Sequence, residues 1–177
     1  MILTNYFLNK EILKLTGKAS ARPHQYRSMN DIKSLLIICD SRDWDVMRYC
    51  VEKLRSSGKT VNTAIYSPTR KDVPTWVSNY LLLRGDSDVN LFGFPAKSVQ
   101  QQFYNLSADV IIDFSGDKSA AMLYMILKHP SAFKVGVKRS ENPAYDFSII
   151  PPEGNDDIKY LFDQILGYLQ SITSKYR

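Results

Sequence analysis

Apolar residues occur along this chain in short unbroken runs and in longer, spaced sets, and the two alternate. Ser34-Leu-Leu-Ile-Ile-Cys39, ending in Asp40, is a continuous run of the kind a central strand buried on both faces requires. Trp44 to Ser57 then places Val46, Met47, Cys50, Val51 and Leu54 at spacings of three and four, with Glu52, Lys53 and Arg55 facing elsewhere. That is one apolar helix face, and Gly58 is a natural stop. Val61 to Tyr66 returns to a strand pattern. Residues 34 to 66 therefore read as strand, helix, strand, a unit that crosses over right-handed in a parallel sheet.

The pattern repeats downstream. Val89 to Phe92, closed by Gly93, reads as a short strand, and Pro95 suits the first turn of a helix reaching Leu106. Asp109-Val-Ile-Ile-Asp-Phe114 is another buried strand, Ser115 to Ser119 a turn, and Ala120 to Lys128 an apolar helix ended by His129-Pro130. Phe133 to Val137 and Tyr145 to Ile150 read as strands around a loop at Lys138 to Ala144, with Pro151-Pro152 ending the second. The last helix starts at Asn155, Asp156 and Asp157 and repeats Ile158, Phe162, Ile165, Leu169 and Ile172 at spacings of four and three, with Lys175 and Arg177 complementing its C-terminal dipole. Between Ser67 and Ser87 the pattern weakens. Pro68, Arg70, Lys71 and Pro74 mark a loop, and Trp76 to Leu83 fits either a helix or a strand, with a short helix preferred.

The N-terminal thirty residues are different. Residues 1 to 15 look helical, but Ile2, Leu3, Tyr6, Phe7, Leu8, Ile12, Leu13 and Leu15 spread nearly all round a helical wheel, leaving a narrow stripe with Lys10, Lys14 and Lys18. This is not a clean amphipathic membrane helix. Gly17 to Asn30 is polar, and Arg22-Pro23 disfavours helix, so it reads as a linker.

Length and composition fit this division. The 177 residues, 44% hydrophobic and 12% aromatic, suffice for one domain with a two-faced core and leave no room for a second full-sized one. The formal charge is +5, and residues 1 to 30 hold Lys10, Lys14, Lys18, Arg22 and Arg27 against Glu11 alone, so the remainder is almost neutral. The expected domains are a solvated basic helical arm and linker over 1–30 and a single α/β domain over 31–177. The arm's charges are scattered, with Tyr6 and Phe7 the only aromatics preceding them, which disfavours nucleic acid as a partner. Cys39 and Cys50 fall on a predicted strand and a predicted helix, as core-filling thiols do, without metal-ligand or disulfide spacing. The N-terminus is a poor signal peptide, and no apolar run reaches the length of a membrane span. A cytoplasmic location without a membrane span is expected.

In an open α/β sheet, ligands sit outside the carboxyl ends of the strands. That rule selects Asp40-Ser-Arg-Asp43, Ser67 to Lys71, Ser115-Gly-Asp117 and Lys138-Arg139. The residues proposed to meet a ligand are Asp40, Ser41, Arg42, Asp113, Ser115, Gly116, Asp117, Lys138 and Arg139. An aspartate after the first strand serves as nucleophile in haloacid-dehalogenase-like hydrolases, but these carry a second aspartate two residues on, and here Arg42 stands there. Capping by Asp40 or Ser41 accounts for the same residues. The glycine and amides of Asp113-Phe-Ser-Gly-Asp117 suit a phosphate at a helix start, yet strand-ending Asp with Ser-Gly-Asp is also common turn chemistry, and neither a Walker ending nor G-x-G-x-x-G is present. Lys138 and Arg139 suit an anionic group or plain solvation. His24 and His129 lack a cysteine or serine in a recognisable nucleophile setting.

Ala108-Asp-Val-Ile-Ile-Asp-Phe-Ser115, the helix after it, Ala132-Phe-Lys-Val-Gly-Val-Lys138 and Tyr145-Asp-Phe-Ser-Ile149 resemble a bacterial family known only as a domain of unknown function. The resemblance covers most of the chain and implies no substrate, cofactor or catalytic residue. The same alternation also looks like the N-terminal, acceptor-binding half of GT-B glycosyltransferases of the heptosyltransferase kind, over about forty residues. In those enzymes the activated sugar is held mainly by the C-terminal half, for which this chain has no room. The expectation is a three-layer α/β/α, Rossmann-like domain with five or six mainly parallel strands. Its expected role is to bind a protein partner or a small anionic ligand without catalysis; the alternative is a nucleotide- or sugar-phosphate-binding protein or enzyme related to half of a GT-B glycosyltransferase. Cofactor, strand order and oligomeric state are left open, and no metal site is expected.

Overall fold

The computed structural model describes residues 5–21, 25–69, 80–137, 144–152, 154 and 157–172, with backbone only at 20 and 117. The elements run α1 (Tyr6–Ser20), β1 (Ser34–Asp40), α2 (Trp44–Ser56), β2 (Thr60–Ser67), β3 (Leu81–Arg84), α3 (Lys97–Tyr104), β4 (Val110–Asp113), α4 (Ala120–Lys128), β5 (Phe133–Val137), β6 (Phe147–Ile149) and α5 (Ile158–Ser171). Six strands pair in parallel in the order β3-β2-β1-β4-β5-β6. The order reverses between β1 and β4, the arrangement of doubly wound Rossmann-like sheets.

The continuous apolar runs have the cause that their pattern implied. Along β1, Leu35, Ile37 and Cys39 enter one core with residues of α2 and α5, while Leu36 and Ile38 enter a second with residues of α1, α3 and α4. A strand with a helical layer on each face has no side to spare for polar residues. Asp157 caps α5, its Oδ1 accepting from the amides of Lys159 and Tyr160 at 2.9 and 3.3 Å.

Three local expectations give way to other interactions. Leu81–Arg84, read as the end of a helix, is a strand beside β2, with Ala64 opposite Leu81 and Ser67 opposite Arg84. Leucine favours helix, but pairing along the open edge of β2 outweighs that small preference; residues 76–79 of that segment lie outside the described residues. Val89 to Phe92 is a turn rather than a strand, with Val89 making a single bridge to Pro95. Asn90 folds it: Oδ1 accepts from the amides of Phe92 and Phe94 at 2.9 and 3.1 Å, and Gly93 takes φ +82°. The helix placed at Pro95 starts instead at Lys97.

The N-terminal helix is part of the second layer. Leu8, Ile12 and Thr16 of α1 are buried, Leu8 and Ile12 within the core shared with α4. Over Tyr6–Ser20 the expected solvated arm is thus a packed helix. Its other faces remain exposed, which is why its wheel looked apolar nearly all round.

Candidate ligand site at the reversal of the sheet

The ends of β1 and β4 lie side by side, Ile38 opposite Asp113, with Asp40 continuing past that pair and standing opposite Tyr66 of β2. Each strand end turns through a short 3-10 segment, Ser41–Asp43 before α2 and Gly116–Lys118 before α4. An ion pair of 3.4 Å between Lys118 Nζ and Asp43 Oδ2 links the two turns.

Asp40 is fully buried. Burial alone would raise its pKa, but Arg42 answers it: the guanidinium donates from Nε to Oδ1 at 2.8 Å and from Nη2 to Oδ2 at 2.9 Å, and the Arg42 amide donates to Oδ1 at 3.0 Å. These bonds hold the carboxyl below its usual range. The residue that spoils a two-aspartate hydrolase motif is therefore the one that stabilises the remaining aspartate.

Asp113 is also buried. Its Oδ1 accepts from the Ser115 amide at 2.8 Å and the Ser115 hydroxyl at 2.6 Å, and its Oδ2 accepts from the Tyr145 hydroxyl at 2.6 Å. Tyr145 reaches it over Gly136, where an added Cβ would stand 2.6 Å from the tyrosine ring. The Ser115 hydroxyl is committed to Asp113 and buried, so it is a strut rather than a nucleophile.

Two donors differ from these. Ser41 Oγ and Trp44 Nε1 are buried and have no hydrogen-bond partner. Both lie where the β1 turn enters α2, so two of the three buried side-chain groups without a partner among the described residues stand at one helix start; the third, Thr16 Oγ1, lies in α1.

Asp40, Ser41, Arg42, Asp113, Ser115 and Gly116 thus stand on adjoining strand ends. The side chain of Asp117, and both Lys138 and Arg139, lie outside the described residues. Sequence reasoning passed over Tyr145, Lys118 and Trp44. For Tyr145 a signal existed: a glycine inside the apolar run Phe133–Val137 marks a close approach. Trp44 reads as an ordinary core aromatic until its indole nitrogen is found without a partner.

His129 belongs to the opposite edge. Its Nδ1 accepts from the Ser131 amide at 3.0 Å, which leaves the proton on Nε2 for the carbonyl of Leu106 at 2.9 Å. Burial lowers its pKa, and the ring serves as a structural tie. Among the described residues no group of three or more His, Cys, Asp or Glu side chains is placed to hold a metal ion, and no helix is long and apolar enough to cross a membrane.

Fold and rim together define a doubly wound α/β domain with an all-parallel sheet reversing at β1 and β4. The chain belongs to the family of unknown function DUF6913, which it matches over residues 4–172. No curated protein and no solved structure matches it.

Proposed function

We propose that this chain binds a small phosphate-bearing ligand, a nucleotide or a sugar phosphate, where the ends of β1 and β4 meet, and holds it without chemical turnover. The observation that carries this reading is the pair of buried, unpartnered donors, Ser41 Oγ and Trp44 Nε1, at the start of α2. A buried donor without an acceptor costs stability, and a ligand oxygen reaching this turn supplies the acceptor where the helix dipole also favours negative charge. The nearby acids do not oppose it strongly, because Asp40 is matched by Arg42 and Asp43 by Lys118. Binding without turnover follows from the acids being engaged: Asp40 and Asp113 hold the rim together rather than face a substrate. A cytoplasmic setting suits Cys39 and Cys50, which are buried free thiols.

Thermal unfolding against a panel of nucleotides, nucleotide sugars and sugar phosphates tests the reading. A ligand at about a hundred times its Kd raises Tm by roughly 5 to 10 °C in a domain of this size. Ser41→Ala should remove most of that rise, and phosphorus NMR should find the ligand unchanged after incubation. If no phosphorylated compound shifts Tm at millimolar concentration, the reading fails. Release of phosphate or transfer of sugar would replace binding with catalysis and support the glycosyltransferase-like alternative.

A further inference from the structure

Away from the strand ends, α1 and the 90–93 turn build a surface that neither has alone. Leu91 is 83% exposed and Phe92 51%, side by side at the tip of the turn. The tip is fixed in place. Asn90 closes it with both its side chain and its backbone, and an added Cβ at Gly93 would run into Asn5 and Leu8, so the turn sits tightly against the start of α1. There Phe92 meets Phe7 edge to face at 5.5 Å, and Phe7 meets Tyr6 at the same distance, with Phe7 and Tyr6 themselves 52% and 57% exposed. Tyr6, Phe7 and Phe92 thus touch in series, with the exposed Leu91 next to Phe92 along the turn, and a cluster of large exposed side chains of this kind marks an interaction surface.

Beside the patch runs a line of positive charge. Lys10, Lys14 and Lys18 recur at every fourth residue of α1, all exposed, a stripe about 12 Å long. Glu11 is the one acid on this helix and pairs with Lys14 at 3.7 Å. Between helix and turn lies an open groove of about 640 Å³ lined by Phe7, Lys10, Glu11, Lys14, Phe92, Phe94 and Tyr124, so aromatic side chains share one surface with two lysines and the single acid that pairs with Lys14.

We infer that this face docks on an anionic lipid bilayer, with Leu91, Phe92 and Phe7 entering the headgroup boundary and Lys10, Lys14 and Lys18 against lipid phosphates. The shape favours a bilayer over a protein pocket. Leu91 projects from the tip of the turn while Phe7 and Phe92 also line the open groove beside it, and a fluid interface accepts both a projecting side chain and an open groove without a matching partner surface. Aromatic rings beside exposed lysines are also the side chains that suit the boundary of an anionic membrane. The inference does not depend on the ligand site at the strand ends.

Co-sedimentation of the full chain with vesicles tests it, using equimolar phosphatidylcholine and phosphatidylglycerol beside phosphatidylcholine alone. The chain should pellet with the anionic vesicles at low salt, stay in solution with the neutral ones, and be released by added salt. Leu91→Asp should weaken partitioning by about tenfold, since the tip can no longer enter the interface. Lys10→Glu combined with Lys14→Glu should weaken it about twentyfold or more, at about fivefold per lysine removed and more for the reversal. Both variants change exposed residues, and an unaltered Tm certifies the fold. A chain that stays in solution with anionic vesicles at low salt overturns the inference, as does binding that ignores both variants. Self-association on gel filtration that Leu91→Asp abolishes, without vesicle binding, would assign the patch to protein contact instead.

Discussion

The two edges of the sheet bury similar polar residues and treat them differently. At the edge where the strands begin, each tie is closed. Asp109 Oδ2 accepts from the amides of Lys33 and Ser34 at 2.8 and 2.9 Å, both nitrogens of His129 are engaged, and Lys134 Nζ donates to the carbonyls of His129 and Ser131 at 3.1 and 3.0 Å. At the edge where the strands end, the acids are closed in the same way, but Ser41 Oγ and Trp44 Nε1 are not. Satisfied buried polar groups stitch a fold together, whereas an unsatisfied one lowers stability unless something else completes it. The first edge is closed throughout, and the second carries the two open donors on which the proposed ligand site rests.

The comparison can be broken most forcefully at Gly136. Gly136→Ala drives a Cβ into the Tyr145 ring and separates the tyrosine from Asp113, which should cost about 2 to 3 kcal/mol in denaturant unfolding. Tyr145→Phe serves as the control, because it removes the hydroxyl and leaves the packing; a loss as large as that of Gly136→Ala would show that the bond, not the clash, dominates. At the opposite edge, Asp109→Ala should cost about 1 to 2 kcal/mol, since water can partly replace the carboxylate at two backbone amides near the surface. An unchanged midpoint would remove Asp109 from the stitching.

The pH response sharpens the picture of the closed edge. His129 is held below its ordinary pKa of 6.5, chiefly by burial, so below that pH the unfolded chain takes up a proton that the folded ring resists. Stability is fully present above pH 6.5 and falls as pH drops from there towards the folded pKa. Asp109 works in the acid range: burial pushes its pKa up, but the Ser34 and Lys33 amides hold it below 3.8, so its contribution is present above that pH and is lost as pH falls through the folded pKa. Urea midpoints across this range check both, and His129→Gln should flatten the slope below pH 6.5. The smallest change is expected at Ser41. Without ligand, Ser41→Ala should leave stability unchanged or raise it by about 0.5 kcal/mol, because the hydroxyl removed has no partner to lose and its burial is unfavourable. A loss of more than about 1 kcal/mol would mean that the hydroxyl is bonded after all and that the edges do not differ as described.

The elements were legible to very different degrees. β1, β4 and β5 stood out because burial on both faces removes polar residues from a strand, and α2 and α5 because one buried face imposes spacings of three and four. For β3 the pattern allowed helix or strand and the helix was preferred wrongly, because its leucines carry no strand signal and its state depends on a neighbour earlier in the chain. The 89–92 turn was misread because three apolar residues of four conceal the Asn90 side chain that bends it. The rim residues Asp40, Ser41, Arg42, Asp113 and Ser115 could be selected from their position after strands, but their hydrogen bonds could not. Which acid pairs with which neighbour, and which donor is left over, depends on geometry that spacing does not encode.

Read alone, the chain already determined its layers, since the periods of its apolar residues are those of strands covered on both sides and helices covered on one. Only the tertiary structure decided the strand order and where the sheet reverses. It alone brought Tyr145 over Gly136 to Asp113, and it alone set the 90–93 turn beside α1. The reason is physical: an apolar period records how many sides of an element are buried, not which element buries them.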